Sequence, residues 1–327
     1  PIYMGFLMTE PNSISCTQLA ETYNISHDSV NRFLEREDYT PHDLYQEAIQ
    51  HIDNNKLIVS IDDTVLDKPY SQHMDLVSYF WSGKHHRSVK GINLITLYAT
   101  DQNGQNIPIN FRIYDKSEGK TKNDYFMDML SEVLSWGAKI QFITGDSWYS
   151  STGNLKTIRK HGIRFMFGID CNRKVSPEKG QWFQLRLLPN FHQGQVVWLK
   201  DFGFVQLFKT QLKEQQRFYI VHQDEDDLLS FEGFHELHSS HWKIEQYHRV
   251  IKQVCHIEKF QVRRSKLILN HIFSALMAYV EIQKNQFERI FENVYRWQKK
   301  LFRPIIKDFI DDFILDKNHL LPQRVYK

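Results

Sequence analysis

Hydrophobic periodicity divides the chain into blocks with different repeats. In residues 16–37 (CTQLAETYNISHDSVNRFLERE), Leu19, Ala20 and Tyr23 share one helical face. Asn24 interrupts it, and Val30, Phe33 and Leu34 begin a second face. Ala20 is small enough for two helices to touch, and Asn24 tolerates the positive φ of a tight turn. Ile25 is expected to point inward, Ser26 to cap the second helix, and Val30 to lock it against Ala20. The spacing predicts a helix-turn-helix; an ordinary helical hairpin is the bland alternative. TPHDL (residues 40–44) reads as a linker leading into a capped helix that runs to about Asn54.

From Lys56 the period changes. LIVSIDDT (57–64) reads as a β-branched strand ending in two carboxylates. GINLITLYAT (91–100) and IPINFRIYD (107–115) are two more strands, joined by a turn with an Asn103-Gly104 hairpin signal. A helix is predicted over 122–136, with Tyr125, Phe126, Met129, Leu130, Val133 and Leu134 as its buried stripe. KIQFITGDSWY is a short strand that again terminates in an acid, Asp146. A helix over 153–161 and the strand IRFMFGID follow. The sum is an α/β sheet layered with helices, with carboxylates at strand ends, where open sheets place their sites. Short strand-like pieces between 172 and 224 read as an all-β insertion, and helical pattern returns at Phe234. The expected organisation is a helix-turn-helix region (1–54), a first core part (55–171), the β insertion (172–224), a second core part (225–283) and a helical tail (284–327).

Composition narrows the class. The chain has 327 residues, 41 Lys+Arg against 39 Asp+Glu, and 41% apolar residues including 23 Phe, 15 Tyr and 7 Trp. Disorder, collagen-like repeats and a small disulfide scaffold are excluded. Cys16, Cys171 and Cys255 form no C-x-x-C pair, so neither a zinc ribbon nor a disulfide framework is expected. No membrane span is visible, and a cytoplasmic protein is the expectation. Net charge is only +2, but residues 241–266 hold seven Lys/Arg against two acids, +5 in one window. Local clustering is what a phosphate backbone feels, because salt screens charge beyond roughly 8–10 Å.

Three acids carry the candidate chemistry: Asp63 (with Asp62 beside it), Asp146 and Glu245, separated by 83 and 99 residues. Carboxylates gathered from distant segments repel one another and persist as anions only around a cation. Hard oxygen donors without a Cys/His quartet point to Mg²⁺ or Mn²⁺. Two such ions would activate a water or 3′-hydroxyl and stabilise the leaving oxygen of a phosphodiester. Lys252 follows Glu245 by two helical turns on the same face; Arg249, His241 and His238 lie near it, as does His248. A zinc site is disfavoured, because HELH misses the H-E-x-x-H spacing by one. At the start of the second short helix His27, Asp28, Ser29, Asn31 and Arg32 are the positions expected to face a major groove, Asn and Arg being the side chains that pair with base edges. Lys84, Arg87 and Lys90, with His85 and His86, form a basic loop suited to phosphate. Trp148 is expected in the core, and Trp198 is a candidate for stacking on an unpaired base.

On ISHDSVNRFL, SIDDTVLDKPY, SVKGINLIT, TGDSWYSS, GIRFMFGIDCNRKVS, HWKIEQYHRVIKQ and FQVRRSKLILNHIFSALMAYV, the chain resembles the DDE transposases of bacterial insertion sequences. The resemblance covers nearly the whole chain and implies a ribonuclease H-like mixed sheet with flanking helices. The gap of 99 residues fits the subgroup with a β-strand insertion before the Glu. It implies that Asp63, Asp146 and Glu245 bind two Mg²⁺ or Mn²⁺ ions, the acid immediately before Thr64 favouring Asp63 over Asp62. It further implies cleavage and strand transfer at terminal inverted repeats, a homodimer on paired ends and target DNA, and a protein at the nucleoid. The family's Glu helix often carries Tyr, Arg, Glu and Lys at intervals that fall here on His238, His241, Glu245 and Lys252. Two histidines in place of Tyr and Arg raise the expectation of activity that increases below pH 7. Two other classes stay open: a DNA-binding regulator that has kept the fold without the chemistry, and a nuclease that does not join strands.

Overall fold

The computed structural model describes residues 2–10, 15–83, 85–178, 180–212, 215–222 and 228–320. In chain order its helices and strands are α1 (Ile2–Thr9), α2 (Cys16–Tyr23), α3 (His27–Arg36), α4 (Pro41–Ala48), β1 (Leu57–Asp67), β2 (Ser78–Ser82), β3 (Arg87–Thr100), β4 (Asn106–Ile113), α5 (Lys122–Ser135), β5 (Ile140–Gly145), α6 (Thr152–Lys160), β6 (Arg164–Ile169), β7 (Lys174–Ser176), β8 (Phe183–Gln184), β9 (Gln195–Leu199), β10 (Gly203–Leu212), β11 (Gln215–His222), α7 (Phe231–Gln253), α8 (Ser265–Phe287) and α9 (Val294–Leu320).

The core strands run in the order β4-β3-β1-β5-β6. The first three pair antiparallel, and β5 and β6 join parallel to β1. This is the ribonuclease H-like arrangement, a mixed α/β sheet with flanking helices. The segment read as an insertion forms no separate layer: β11 pairs antiparallel with β6 and carries β10, β9, β7 and β8 outward in one continuous sheet. The apolar core runs from β1 (Leu57, Val59, Ile61) through α5 (Phe126, Met129, Val133) and α8 (Ile272, Leu276, Val280). A smaller cluster around Phe208, Phe234 and Leu237 seats the start of α7 on the outer strands.

One detail of register opens the cleft. β1 pairs with β3 along its length, to Asp67↔Gly91, whereas its parallel neighbour stops at Ile61↔Gly145. Asp62 and Asp63 are therefore mid-strand rather than terminal, because β3 continues to satisfy the backbone after β5 has turned away. Gly145 is required at that turn: a Cβ there would stand 2.6 Å from Phe167 and 2.8 Å from Ile61.

The helix-turn-helix forms as the spacing predicts. Asn24 takes φ 51 at the end of α2, and Ser26 caps α3 through the Asp28 N–H. Leu19, Ala20, Val30 and Leu34 are buried. Ile25 is exposed, against expectation, because the α2–α3 contact is already filled. The pair is docked onto the body. Asn270 Nδ2 on α8 donates to the Leu34 and Glu37 carbonyls, each at 2.7 Å. Arg264 pairs with Glu35 and Lys266 with Asp38. Thr40, read as part of a linker, closes a capping box with Asp43 at the start of α4. α1, β2 and the length of α9 have no counterpart in the periodicity reading.

Candidate active site

β1 presents its two adjacent acids to opposite faces of the sheet, as strand alternation requires. Asp63 faces α5. Lys122, the first residue of α5, donates its Nζ to Asp63 Oδ2 at 2.7 Å. Asn93 Nδ2 donates to the same oxygen at 2.6 Å, and the Tyr149 hydroxyl donates to Oδ1 at 3.0 Å. The Asp63 and Lys122 side chains are only 15% and 16% exposed. Asp63 is thus a satisfied carboxylate with its own counter-ion.

Asp62 faces α7. Its Oδ1 accepts the Asp63 N–H at 2.8 Å, and its Oδ2 lies 3.5 Å from His248 Nδ1. Desolvation raises its pKa well above the ordinary carboxylate value, and Asp146, Asp63 and Glu245 add to the rise. His248 gives Asp62 no compensating charge, because burial first and then Lys252 push the imidazole down to about 3. Asp146 follows β5 and caps a short 3₁₀ turn by accepting the Trp148 N–H at 2.9 Å. Desolvation, then Asp63, push its carboxyl up to about 6, opposed by the backbone N–H groups of Trp148 and Tyr149. The residue itself is exposed, so solvent screening limits what this shift is worth in stability.

Glu245 rides on α7, which buries Ile244, Tyr247, His248 and Ile251 against the sheet and leaves Glu245 at the surface. Tyr247 stacks on Tyr98 and sets the roll of the helix. Desolvation raises Glu245, and Arg217 and Arg249 oppose it. The other residues of this helix divide by orientation. His241 points into the sheet, its Nδ1 3.1 Å from Thr144 Oγ1, and burial pushes it down to about 4. His238 Nε2 stands 3.0 Å from the Tyr219 hydroxyl, and burial lowers its pKa too. Burial thus favours the neutral imidazole at both positions. Lys252 donates to the Val65 carbonyl at 2.6 Å, tying α7 to β1 just past the acids, while Arg249 is exposed.

Of the positions read as DNA contacts elsewhere, His27 and Arg32 are exposed on α3 and Asn31 is half-buried. His27 pairs with Asp28, and Arg32 donates to the Asp28 carbonyl. Arg87 is exposed opposite Ser82 in the β2–β3 hairpin, and His85 reaches Asp67 at 3.1 Å. Lys84 lies outside the described residues. Trp148 is 62% exposed beside the acids, its ring 5.5 Å from Lys122 Nζ, which corrects its expected core position. The 3₁₀ turn turns Tyr149 inward in its place. Trp198 is also exposed, on β9 against Phe204. Lys122, Asn93, Tyr149 and Arg217 escape the sequence reading as site residues. Of these, Asn93 and Tyr149 carry a signal, as parts of SVKGINLIT and TGDSWYSS.

Among the described residues no three His, Cys, Asp or Glu side chains converge closely enough to hold an ion. The chemistry of the donors still fits a hard divalent cation. Desolvation and then Asp146, Asp63 and Glu245 raise Asp62, and desolvation and then Asp63 raise Asp146, a repulsion among these acids that a cation relieves. Asp63 already has Lys122.

The fold is a ribonuclease H-like sheet with carboxylates on β1, after β5 and on α7. The family profile described as "Transposase DDE domain" matches residues 53–280. The chain belongs to the DDE transposases, and so to a family that acts on DNA. No curated protein matches it. Among solved structures, a Marinitoga piezophila Argonaute in complex with 5′ OH guide RNA and target DNA is 9% identical, with a TM-score of 0.23. The match covers 65% of this chain and 28% of that one. The NurA nuclease of Sulfolobus solfataricus is 12% identical with a TM-score of 0.25, covering 84% of this chain and 94% of that one. The chain spans little more than a quarter of the Argonaute. No helix of the described residues is long and apolar enough to cross a membrane.

Proposed function

We propose that the protein cleaves DNA at the ends of a mobile element and transfers the resulting 3′-hydroxyl to target DNA, with Asp62, Asp146 and Glu245 holding two divalent ions. The observation that carries this reading is the orientation of β1. Asp62 is turned toward the helix bearing Glu245 and lies in the field of both Asp146 and Glu245, while Asp63 is occupied by Lys122, Asn93 and Tyr149. In this reading Asp62 takes the place of the first acid, whereas the motif favours Asp63, which itself raises the Asp146 carboxyl. When bound, Mg²⁺ or Mn²⁺ supplies Lewis-acid activation of the attacking oxygen and stabilisation of the leaving one. Asp63 holds the Lys122 ammonium at the α5 side of the cleft, and Tyr149 fixes the rotamer of Asp63. Arg217 and Arg249 flank Glu245 and offer the backbone phosphates the fixed positive charge that the neutral His238 and His241 do not. Exposed Trp148 is a stacking surface for a base unpaired at the scissile end. α3 contributes to reading the element ends, and two copies act on paired ends.

The test is divalent-ion-dependent cleavage of DNA carrying the flanking inverted repeats by the intact protein, Glu245→Gln and Asp62→Asn. Cleavage and joining in Mg²⁺ or Mn²⁺, lost in both variants with DNA binding retained, is the expected result. Binding of properly paired ends with no cleavage by the intact protein overturns it.

A further inference from the structure

β2 is packed through one of its faces. Phe80 is buried against Tyr114, with Lys116 Nζ 4.9 Å over its ring, and the same ammonium donates to the Tyr79 carbonyl at 2.8 Å. The strand is thus pinned, yet Tyr79 and Trp81 on its other face are 64% and 66% exposed. Register places that face. Tyr79 pairs with Lys90 and Trp81 with Ser88, and directly opposed residues share a face. Alternation along β3 carries the same face to Thr96, the partner of Asp62. The two rings therefore lie on the Asp62 side of the sheet, but eight residues along β3 from it, about 26 Å away. Tyr70, 94% exposed, stands in the turn after β1, which Lys90 holds through the Ser71 carbonyl. Large rings left together in water on a fixed strand mark a binding surface.

Charge and spacing indicate what that surface takes. Residues 78–90 hold Lys84, Arg87 and Lys90, with His85 and His86, and no acid. A nucleic acid uses both features at once, its phosphates meeting the cations and its bases the rings. Residues two apart on a strand are separated by about 6.6–6.8 Å, twice the roughly 3.4 Å between neighbouring bases of a duplex strand. Successive bases therefore reach both rings only where their strand is drawn out of the double helix. We infer that the β2–β3 hairpin is a platform for single-stranded DNA, two successive unpaired bases stacking on Tyr79 and Trp81 with their phosphates at the basic end of the hairpin. This platform is separate from Trp148, which stands beside Lys122. The inference rests on a family that acts on DNA and not on the metal chemistry of the acids.

The test uses the full chain in EDTA, where cleavage plays no part, and follows the fluorescence anisotropy of a labelled oligothymidylate of about 12 nucleotides. Trp81→Ala should weaken binding about 10-fold, and Tyr79→Ala with Trp81→Ala about 100-fold, with unchanged far-UV circular dichroism. Trp81→Phe keeps a ring and should restore most of the loss. An oligomer of abasic sugars should bind the parent and the double variant alike. Arg87→Gln should reduce the slope of log affinity against log salt by about 0.7. Iododeoxyuridine placed in the oligomer should photo-cross-link to the peptide that carries Tyr79 and Trp81. Undiminished binding by the double variant overturns the inference, as do cross-links confined to other peptides. An equal loss on duplex DNA of the same length also overturns it. So does a change in sedimentation of the DNA-free double variant, which would make the surface a contact between copies of the chain. A protein that holds single strands here and cuts no DNA leaves the inference intact and removes the catalytic reading.

Discussion

Replacing Asp62 and Asp63 one at a time by asparagine should move stability in different directions. Asp63→Asn leaves the Lys122 ammonium, 16% exposed, without its carboxylate, and turns two charge-assisted hydrogen bonds into neutral ones. Breaking a fully buried pair costs about 3–5 kcal/mol, and partial access to water brings the expectation to about 2–4 kcal/mol. An unfolding entropy of roughly 2.1 cal/mol/K per residue over the chain is about 0.7 kcal/mol/K, so the melting temperature should fall by about 3–6 °C. Asp62→Asn removes a carboxylate that desolvation and three neighbouring acids push toward protonation, and keeps an oxygen to accept the Asp63 N–H. It should be neutral or stabilising by about 1 kcal/mol.

Metal separates the two acids further. A ligand at about 100 times its dissociation constant adds about 2.7 kcal/mol, or about 4 °C on the same scale. Scanning calorimetry with and without Mn²⁺ should show that rise in the parent protein and in Asp63→Asn, and none in Asp62→Asn. The reasoning is refuted if Asp63→Asn loses the metal-induced rise while Asp62→Asn keeps it, or if Asp62→Asn is the more destabilised.

Acidification should slow cleavage. The Asp146 carboxyl, raised to about 6, makes the folded metal-free protein bind more protons than the unfolded chain between the ordinary carboxylate value and about 6. Metal-free stability therefore falls as pH rises through that window, while metal binding strengthens, so rate profiles should climb from pH 5 to 7 with a midpoint that drops at saturating metal. Asn270→Ala removes two hydrogen bonds to the end of α3, one buried and one part-buried, and should cost about 1–3 kcal/mol and lower amide-exchange protection in α2 and α3 before the sheet. Trp148→Ala should change stability by less than about 0.5 kcal/mol but weaken binding to DNA with an unpaired end by about 1–3 kcal/mol, read by fluorescence anisotropy.

Local signals carried far. The helix-turn-helix was legible because Ala20, Asn24, Ser26 and Val30 each meet a steric or capping requirement set by immediate neighbours. α5 was legible from its buried stripe, and α6 forms close to the expected 153–161. β1 was read too short because the pattern that ends a strand is polar residues in succession, and here β3 supplies pairing on past them. β2 is five residues with one buried aromatic, too little for periodicity. The partners of Asp63 were out of reach for a different reason: Asn93, Lys122 and Tyr149 stand 30, 59 and 86 residues away, and nothing local distinguishes Lys122 from any lysine opening a helix.

The adjacent aspartates show where motif and geometry part. A motif names a position relative to Thr64, whereas a site needs a direction, and on a strand the two change sign at every residue. α7 brings His248 beside Asp62 and α5 brings Lys122 to Asp63, so the two neighbouring acids meet different partners. The face of α7 is fixed by Ile244, Tyr247 and Ile251 packed on the sheet, and that helix sits over Asp62. The second acid need not be idle. Bonded to Lys122, Asn93 and Tyr149, Asp63 ties α5, β3 and the turn after β5 to the strand that carries Asp62. The His238 and His241 positions follow the same logic. They answer to Tyr219 and Thr144 beneath them, and positive charge beside Glu245 comes from Arg217 and Arg249 at the surface.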